Sequence, residues 1–269
     1  MVLTRLLQRR SNQRIGPYVG YSPNEGVKFT VVPTKPKLEY KMVDLGLPSG
    51  LKWADRNVGA ETPQDKGLYF SWGNVDGHTV DESGNVADGY SFDENTYSTT
   101  LGGQYTGSTL DSEHDAATSI MGDTWRMPTI EEYRELVNAV KSSDGTKGTL
   151  TCQYEYIDLN GEQQSLVVYN DAKNGYFSIE GLMVNGRPVF KTILGIRFTN
   201  DVTGASVYFP TCSSVKGSIL ATAGSSGNYW SSSINDTSNS RYFYFFGPYD
   251  VYACNSKYRY CGLCVRAVK

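Results

Sequence analysis

Apolar and polar positions recur along the chain with two different periods. The helical period is clearest in "PTIEEYRELVNAVKS". There Ile130, Tyr133, Leu136, Val137 and Val140 fall three or four residues apart and share one face. Thr129 precedes the run and Glu132 follows it by three residues, the spacing of a capping box. Acidic residues come early and Lys141 late, the order a helix dipole favours. From Gly145 onward the period changes to two. "SLVVYNDAKNGYFSI", "GLMVNGRPVF" and "GIRFTNDVTGASVYFP" read as successive hairpin arms, with tight turns at Asn174-Gly175 and Asn185-Gly186. "GNYWSSS", "SRYFYFF" and "GLCVRAV" read as closing strands.

Before the helix, "YKMVDLGLPSGLKWADRNVGA" predicts two short strands about a turn at 48–50, and "GLYFSWGN" a further apolar segment. Residues 75–112 are rich in Asp, Gly, Ser, Thr and Asn. They predict an irregular surface insertion, or a region ordered by packing on its own aromatics. One or two helices early and many strands late predict an α+β domain over residues 40–269. Residues 1–39 form an appendage: a strand in "GVKFTVV", then a stiff linker at Pro33 and Pro36. Too small for its own core, it is expected to be an arm for attachment or oligomerisation.

Composition narrows the function classes. The chain has 269 residues and a formal net charge of -3, without the basic excess a nucleic-acid partner requires. No apolar run approaches the ~18 residues of a membrane span, so no membrane insertion is expected. The basic N-terminus "MVLTRLLQRRSNQRIG" lacks the apolar core of a secretory signal, so export by a signal peptide is not expected. Five cysteines exclude complete pairing within one chain. Cys254, Cys261 and Cys264 offer only one close pair, and His78 and His114 lie far upstream, so free thiols are expected rather than a zinc site. No cofactor is implied.

Six motifs in fixed order, "VDLGLPSGLKWADRNVGA", "YFSWGN", "GDTWRMPTIEEYREL", "YFPT", "NYWSSS" and "GLCVRAV", resemble the Fibrobacter succinogenes major paralogous domain family of gut Bacteroidetes and their phages. The resemblance covers about residue 40 to the last residue, 269, and implies a C-type-lectin-like fold with a short N-terminal β arm. The same broad fold serves sulfatase-modifying enzymes and the variable proteins of diversity-generating retroelements. Trp53, Trp72, Trp125 and Trp230 sit in the shared motifs and are expected in the core. Calcium-dependent lectins of this fold use acidic and amide loops that are not evident here. Sulfatase-modifying enzymes use a reactive cysteine pair, and Cys261 and Cys264 match it only superficially; a formylglycine-generating-type enzyme is the third reading, and no catalytic residue is expected.

Retroelement-diversified members are rewritten at template adenines, usually in Asn codons. Such changes cannot produce Lys, Glu, Gln, Met or Trp. Those types number 41 in 269, which predicts about four among residues 235–261, yet Lys257 stands alone there. The resemblance therefore implies a variable binding region at about 230–266. In "RYFYFF", period two puts Phe243 and Phe245 on one face and Tyr242, Tyr244 and Phe246 on the other. Tyrosine is the better surface residue, so the first pair is assigned to the core and the second set outward, with the reverse assignment open. Tyr249, Tyr252, Cys254, Asn255, Ser256, Tyr258, Tyr260 and Cys261 complete the candidate ligand-binding set. Gly262, Val265 and Arg266 read as scaffold. The expected function is non-catalytic: a receptor-binding adhesin on a phage tail or head fibre. It would be homo-trimeric, held by other virion fibre proteins, and would bind a bacterial surface receptor, protein or glycan. A bacterial cell-surface lectin-like adhesin is the alternative.

Overall fold

The computed structural model describes residues 19–22, 26–29 and 38–269, apart from 82, 102–107, 173–174, 179–180, 222–224 and 248. The chain divides into two units, Met1–Lys37 and Leu38–Lys269. In the first, β1 (Val19–Ser22) and β2 (Gly26–Phe29) form an antiparallel hairpin. The linker prolines Pro33 and Pro36, like Asn174 of the first expected tight turn, lie outside the described residues.

In the second unit β3 (Met42–Asp44) and β4 (Lys52–Ala54) pair about the expected turn, closed by Gly50 N–H donating to the Leu47 carbonyl at 2.9 Å. β5 (Tyr69–Phe70) follows. The segment 75–112 contains α1 (Glu94–Leu101), which its composition did not announce. α2 (Ala116–Met121) is capped by Asp115, and α3 (Ile130–Asn138) is the helix the apolar period predicts. Its capping box is present: Thr129 Oγ1 accepts from Glu132 N–H at 3.3 Å, and Glu132 Oε2 accepts from Thr129 N–H at 2.7 Å. Ile130, Tyr133, Leu136 and Val137 are buried along one face, and Val140 is buried just beyond the helix end.

The remainder is strand: β6 (Leu150–Asp158), β7 (Gln163–Val168), β8 (Tyr176–Ser178), β9 (Met183–Val184), β10 (Arg187–Pro188), β11 (Phe190–Asn200), β12 (Ser206–Pro210), β13 (Val215–Lys216), β14 (Ile219–Leu220), β15 (Ser226–Ile234), β16 (Asn239–Phe246), β17 (Asp250–Tyr258) and β18 (Leu263–Cys264). Between β9 and β10, Asn185 and Gly186 have φ of 51° and 73°. Left-handed backbone at both central residues is what a type I′ hairpin turn requires and what Asn-Gly tolerates.

The class expectation is corrected. Among the described residues the structure is mostly β, with 42% strand and 10% helix, the latter in three helices, and several small sheets. The fold is β-rich, not the α+β domain expected. The physical reason is that only α3 carries a sustained helical period; α1 and α2 are short, and most of the remaining apolar residues obey period two.

Two sheets organise the interior. A four-stranded sheet has the order β12-β11-β6-β7, and a six-stranded sheet the order β5-β18-β15-β16-β17-β8. One core lies between their inner faces and α3, centred on Tyr133, Phe198, Phe209, Tyr229, Phe243 and Phe245. A second core covers part of the six-stranded sheet's other face, with Phe70, Trp72, Trp125, Trp230, Leu263 and the α2 residues Ala116, Ala117 and Met121. β15 is therefore buried on both sides over most of its length. All four tryptophans are buried, as expected of core residues. Gly227 on β15 permits this packing: a Cβ there would meet the Phe245 ring at 2.0 Å.

Arg266 is fully buried. It donates to Asn57 Oδ1 (2.9 Å), the Ala54 carbonyl (3.1 Å) and the Tyr208 carbonyl (2.6 Å), with its guanidinium 4.6 Å from the Phe209 ring centre. The chain's closing residues are thereby tied to β4 and β12. Gly262 and Val265 are buried beside it, as their reading as scaffold requires.

Candidate functional site

The outer face of the six-stranded sheet is half covered by the second core and half open. Register defines the open half, because residues opposite one another in an antiparallel pair share a face. Tyr244 on β16 lies opposite Asn228 on β15 and Tyr252 on β17, and Tyr252 lies opposite Tyr176 on β8. Asn228, Tyr244, Tyr252 and Tyr176 thus form one row across four strands. The next row carries Ser226, Phe246 and Asp250.

The rings of these rows touch. Tyr176 and Tyr252 are 4.6 Å apart between centroids, Tyr244 and Tyr252 6.3 Å, and Tyr244 and Phe246 6.1 Å. Tyr249, in the turn after β16, stacks on Phe246 at 5.4 Å. Five aromatic side chains therefore make one continuous ladder, with Asp250 at its edge accepting a hydrogen bond from Tyr176 Oη at 3.1 Å. Burial, then the Asp250 carboxylate, pushes the Tyr252 phenol up to about 12, and the same two causes raise Tyr244. At neutral pH these groups are hydroxyl donors and acceptors rather than phenolates. The ladder presents rigid apolar rings tipped with hydrogen-bonding groups.

A second exposed group lies at the far end of β17. Tyr258 and Tyr260 stack at 5.2 Å, Lys216 Nζ sits 5.8 Å from the Tyr260 ring, and Asn255 and Ser256 are exposed beside them. Asp236, in the turn joining β15 to β16, accepts from the backbone N–H groups of Ser238 and Asn239, and its carbonyl accepts from Arg259. That network holds the turn next to β17.

Most of the expected residues reach these surfaces, and three do not. Phe243 and Phe245 enter the first core, and Tyr244 and Phe246 face out, as the alternation predicts. Tyr242 is on the outward face but only 5% exposed, because Trp230 and the second core cover it. Cys261, 2% exposed, is also in the second core. Cys254 packs against the first core and next to Arg134 of α3. The cause is a β-bulge: Tyr242 pairs with Asn255 but Tyr244 with Tyr252, so two residues of β17 oppose Phe243 alone. Ala253 and Cys254 consequently both turn inward. Tyr176 and Asp250 were missed; Asn228, at the β15 end of the row, is buried and bonded to the Cys212 carbonyl and Ser226 Oγ. Tyr176 lies about seventy residues upstream of its partner strand, and only sheet pairing unites them.

Cys261 and Cys264, three positions apart in sequence, lie in different cores on opposite faces of the sheet. His78 and His114 each contact a carboxylate at 2.7 Å, Asp88 and Asp111 respectively, far apart in sequence from the thiols. Among the described residues no group of three or more His, Cys, Asp or Glu side chains could hold a metal ion. No helix among them is long and apolar enough to cross a membrane.

Comparison with family models, curated proteins and solved structures returned no match.

Proposed function

We propose that the chain is a non-catalytic recognition protein that binds a bacterial surface receptor through the open half of the six-stranded sheet. The observation that carries this reading is the five-ring ladder of Tyr176, Tyr244, Phe246, Tyr249 and Tyr252, half-buried along the sheet and exposed at Tyr249. Rigid aromatic area with polar tips binds at low entropic cost, and Tyr, Ser and Asn dominate such recognition surfaces. Contiguous exposed apolar surface marks an interaction site. Four of the five rings lie in the region that the family resemblance marks as variable. On that resemblance the protein is a retroelement-diversified adhesin of a phage fibre, displayed in several copies so that avidity multiplies a modest single-site affinity.

The test uses the fluorescently labelled full chain and a panel of intact gut Bacteroidetes cells. A strain that the native chain labels should lose that labelling with the combined variant Tyr244→Ala, Tyr249→Ala, Tyr252→Ala, which should still unfold in one cooperative transition. Undiminished labelling by the folded variant would reject this face as the binding surface. A near-identical repeat of the 3′ coding end beside a reverse transcriptase gene would establish diversification. Structural-protein rather than lipoprotein genes alongside would place the protein on a virion.

A further inference from the structure

Two of the five cysteines converge at the base of the candidate surface. Cys212 and Cys264 are both fully buried in the first core. Cys212 bridges Gly227 of β15 in parallel, and its carbonyl accepts from Asn228 N–H at 3.1 Å. Cys264, on β18, pairs with Tyr229 of the same strand, also in parallel. β16 fills the other edge of β15, so both cysteines flank the one remaining edge, two residues apart. That spacing corresponds to roughly 6.6 Å along a strand. It lies within the Cα separation of about 4.4–6.8 Å that a disulfide spans. Gly227 and Tyr229 lie on one face of β15, so both cysteine side chains enter the first core on that face, where Cys212 Sγ donates to the Asn228 carbonyl at 3.4 Å. As described, both are free thiols.

The alternatives are poorly placed. Cys261 is across the sheet in the second core, Cys254 packs beside Arg134, and Cys152 is buried in β6 of the four-stranded sheet.

We propose that Cys212 and Cys264 form a disulfide when the chain folds in the presence of a small-molecule disulfide oxidant, closing a covalent loop that contains β13 to β17. One thiolate attacks a sulfur of the oxidant RSSR and releases RS⁻. The second protein thiolate then attacks the protein-bound sulfur of the mixed disulfide and releases another RS⁻. Two protein thiols lose two protons and two electrons, one S–S bond forms, and RSSR is reduced to two thiols. Because buried thiols are inert, the exchange takes place as the chain folds, before the first core closes over both sulfurs. The bond would fasten both ends of the segment that bears the aromatic ladder and leave its exposed residues untouched. The proposal does not depend on what that ladder binds.

The experiment refolds the full chain with oxidised glutathione or with a phosphine reductant, denatures it and labels it with N-ethylmaleimide. The reduced chain should take five labels and the oxidised chain three. Trypsin should release 198–216 joined to 260–266, with fragmentation placing the link on Cys264 rather than Cys261. The oxidised chain should melt about 5–10 °C above the reduced one, and Cys264→Ala should abolish the difference. Five labels after oxidation, or a link through Cys254 or Cys261, would overturn the proposal. Peptide mapping needs only the native chain, so the result stands even where Cys264→Ala fails to fold.

Discussion

Arg266 sets the scale of what one side chain holds in this protein. Burial pushes its guanidinium below the ordinary arginine range, yet three oxygen acceptors from two separate segments, 54–57 and β12, surround it. Removing it leaves the Ala54 and Tyr208 carbonyls without their donor in a dry interior. Charged-group hydrogen bonds of this kind are worth about 1.5–3 kcal/mol each. Arg266→Met is expected to cost at least about 3 kcal/mol, read as a lowered midpoint in urea unfolding with an unchanged slope. The tyrosines of the closing strands divide in a similar test. Tyr242→Ala removes a ring from the second core and should cost about 3 kcal/mol. Tyr258→Ala, at 50% exposure, should stay within about 0.5 kcal/mol. Equal costs in denaturant unfolding would contradict the division between covered and open halves of the face. Period two was legible for these residues and correctly separated Phe243 and Phe245 from Tyr244 and Phe246. Cover was not legible: Tyr242 and Tyr258 look alike in sequence, and only Trp230, brought alongside by β15, distinguishes them.

At the level of elements, α3 was the most readable part, because cap, charge order and apolar period all agree there. Its N-terminus also carries a pH dependence. Glu132 is partly buried, which by itself would raise its pKa. Its bonds with Arg126 at 2.5 Å and 2.8 Å and with Thr129 N–H outweigh burial and hold it below the ordinary value of 4.5. The unfolded chain therefore takes up this proton first on acidification. The contribution is complete above about pH 4.5 and is lost as pH falls through the lower folded value. Glu132→Gln keeps a capping side chain but loses the charge. It should lower Tm at pH 7 and converge on the native chain towards pH 3, as thermal melts across that range would record. The bulge in β17 was less readable. Nothing in "DVYACNSKY" marks an extra residue, so the inward turn of Cys254 had no sequence signal, and its misplacement came from register rather than propensity.

For the whole molecule, the α+β expectation failed because it weighted one strong helix signal over many short strands, whose sheet order no local pattern reveals. The six-stranded sheet joins β5, from the first third of the chain, to β18, from its last few residues, and places β8 beside β17. The ladder exists only after those long-range pairings form, which is why Tyr176 was invisible and the β16 half of the site was not.

That topology also determines when the molecule can exist. β18 is inserted between β5 and β15, and Val268 bridges both Trp53 and Arg126. Deletion of residues 263–269 is expected to leave neither core closed, giving an expanded, protease-sensitive chain with no cooperative melt. β18 and the residues just after it are thus a proofreading mark for everything before them. A frameshift or premature stop anywhere upstream removes the keystone strand, and the defective chain never presents a surface at all. If the stretch before it varies from copy to copy, only sequences translated in frame through β18 reach the folded state, and the fold itself screens its own variants.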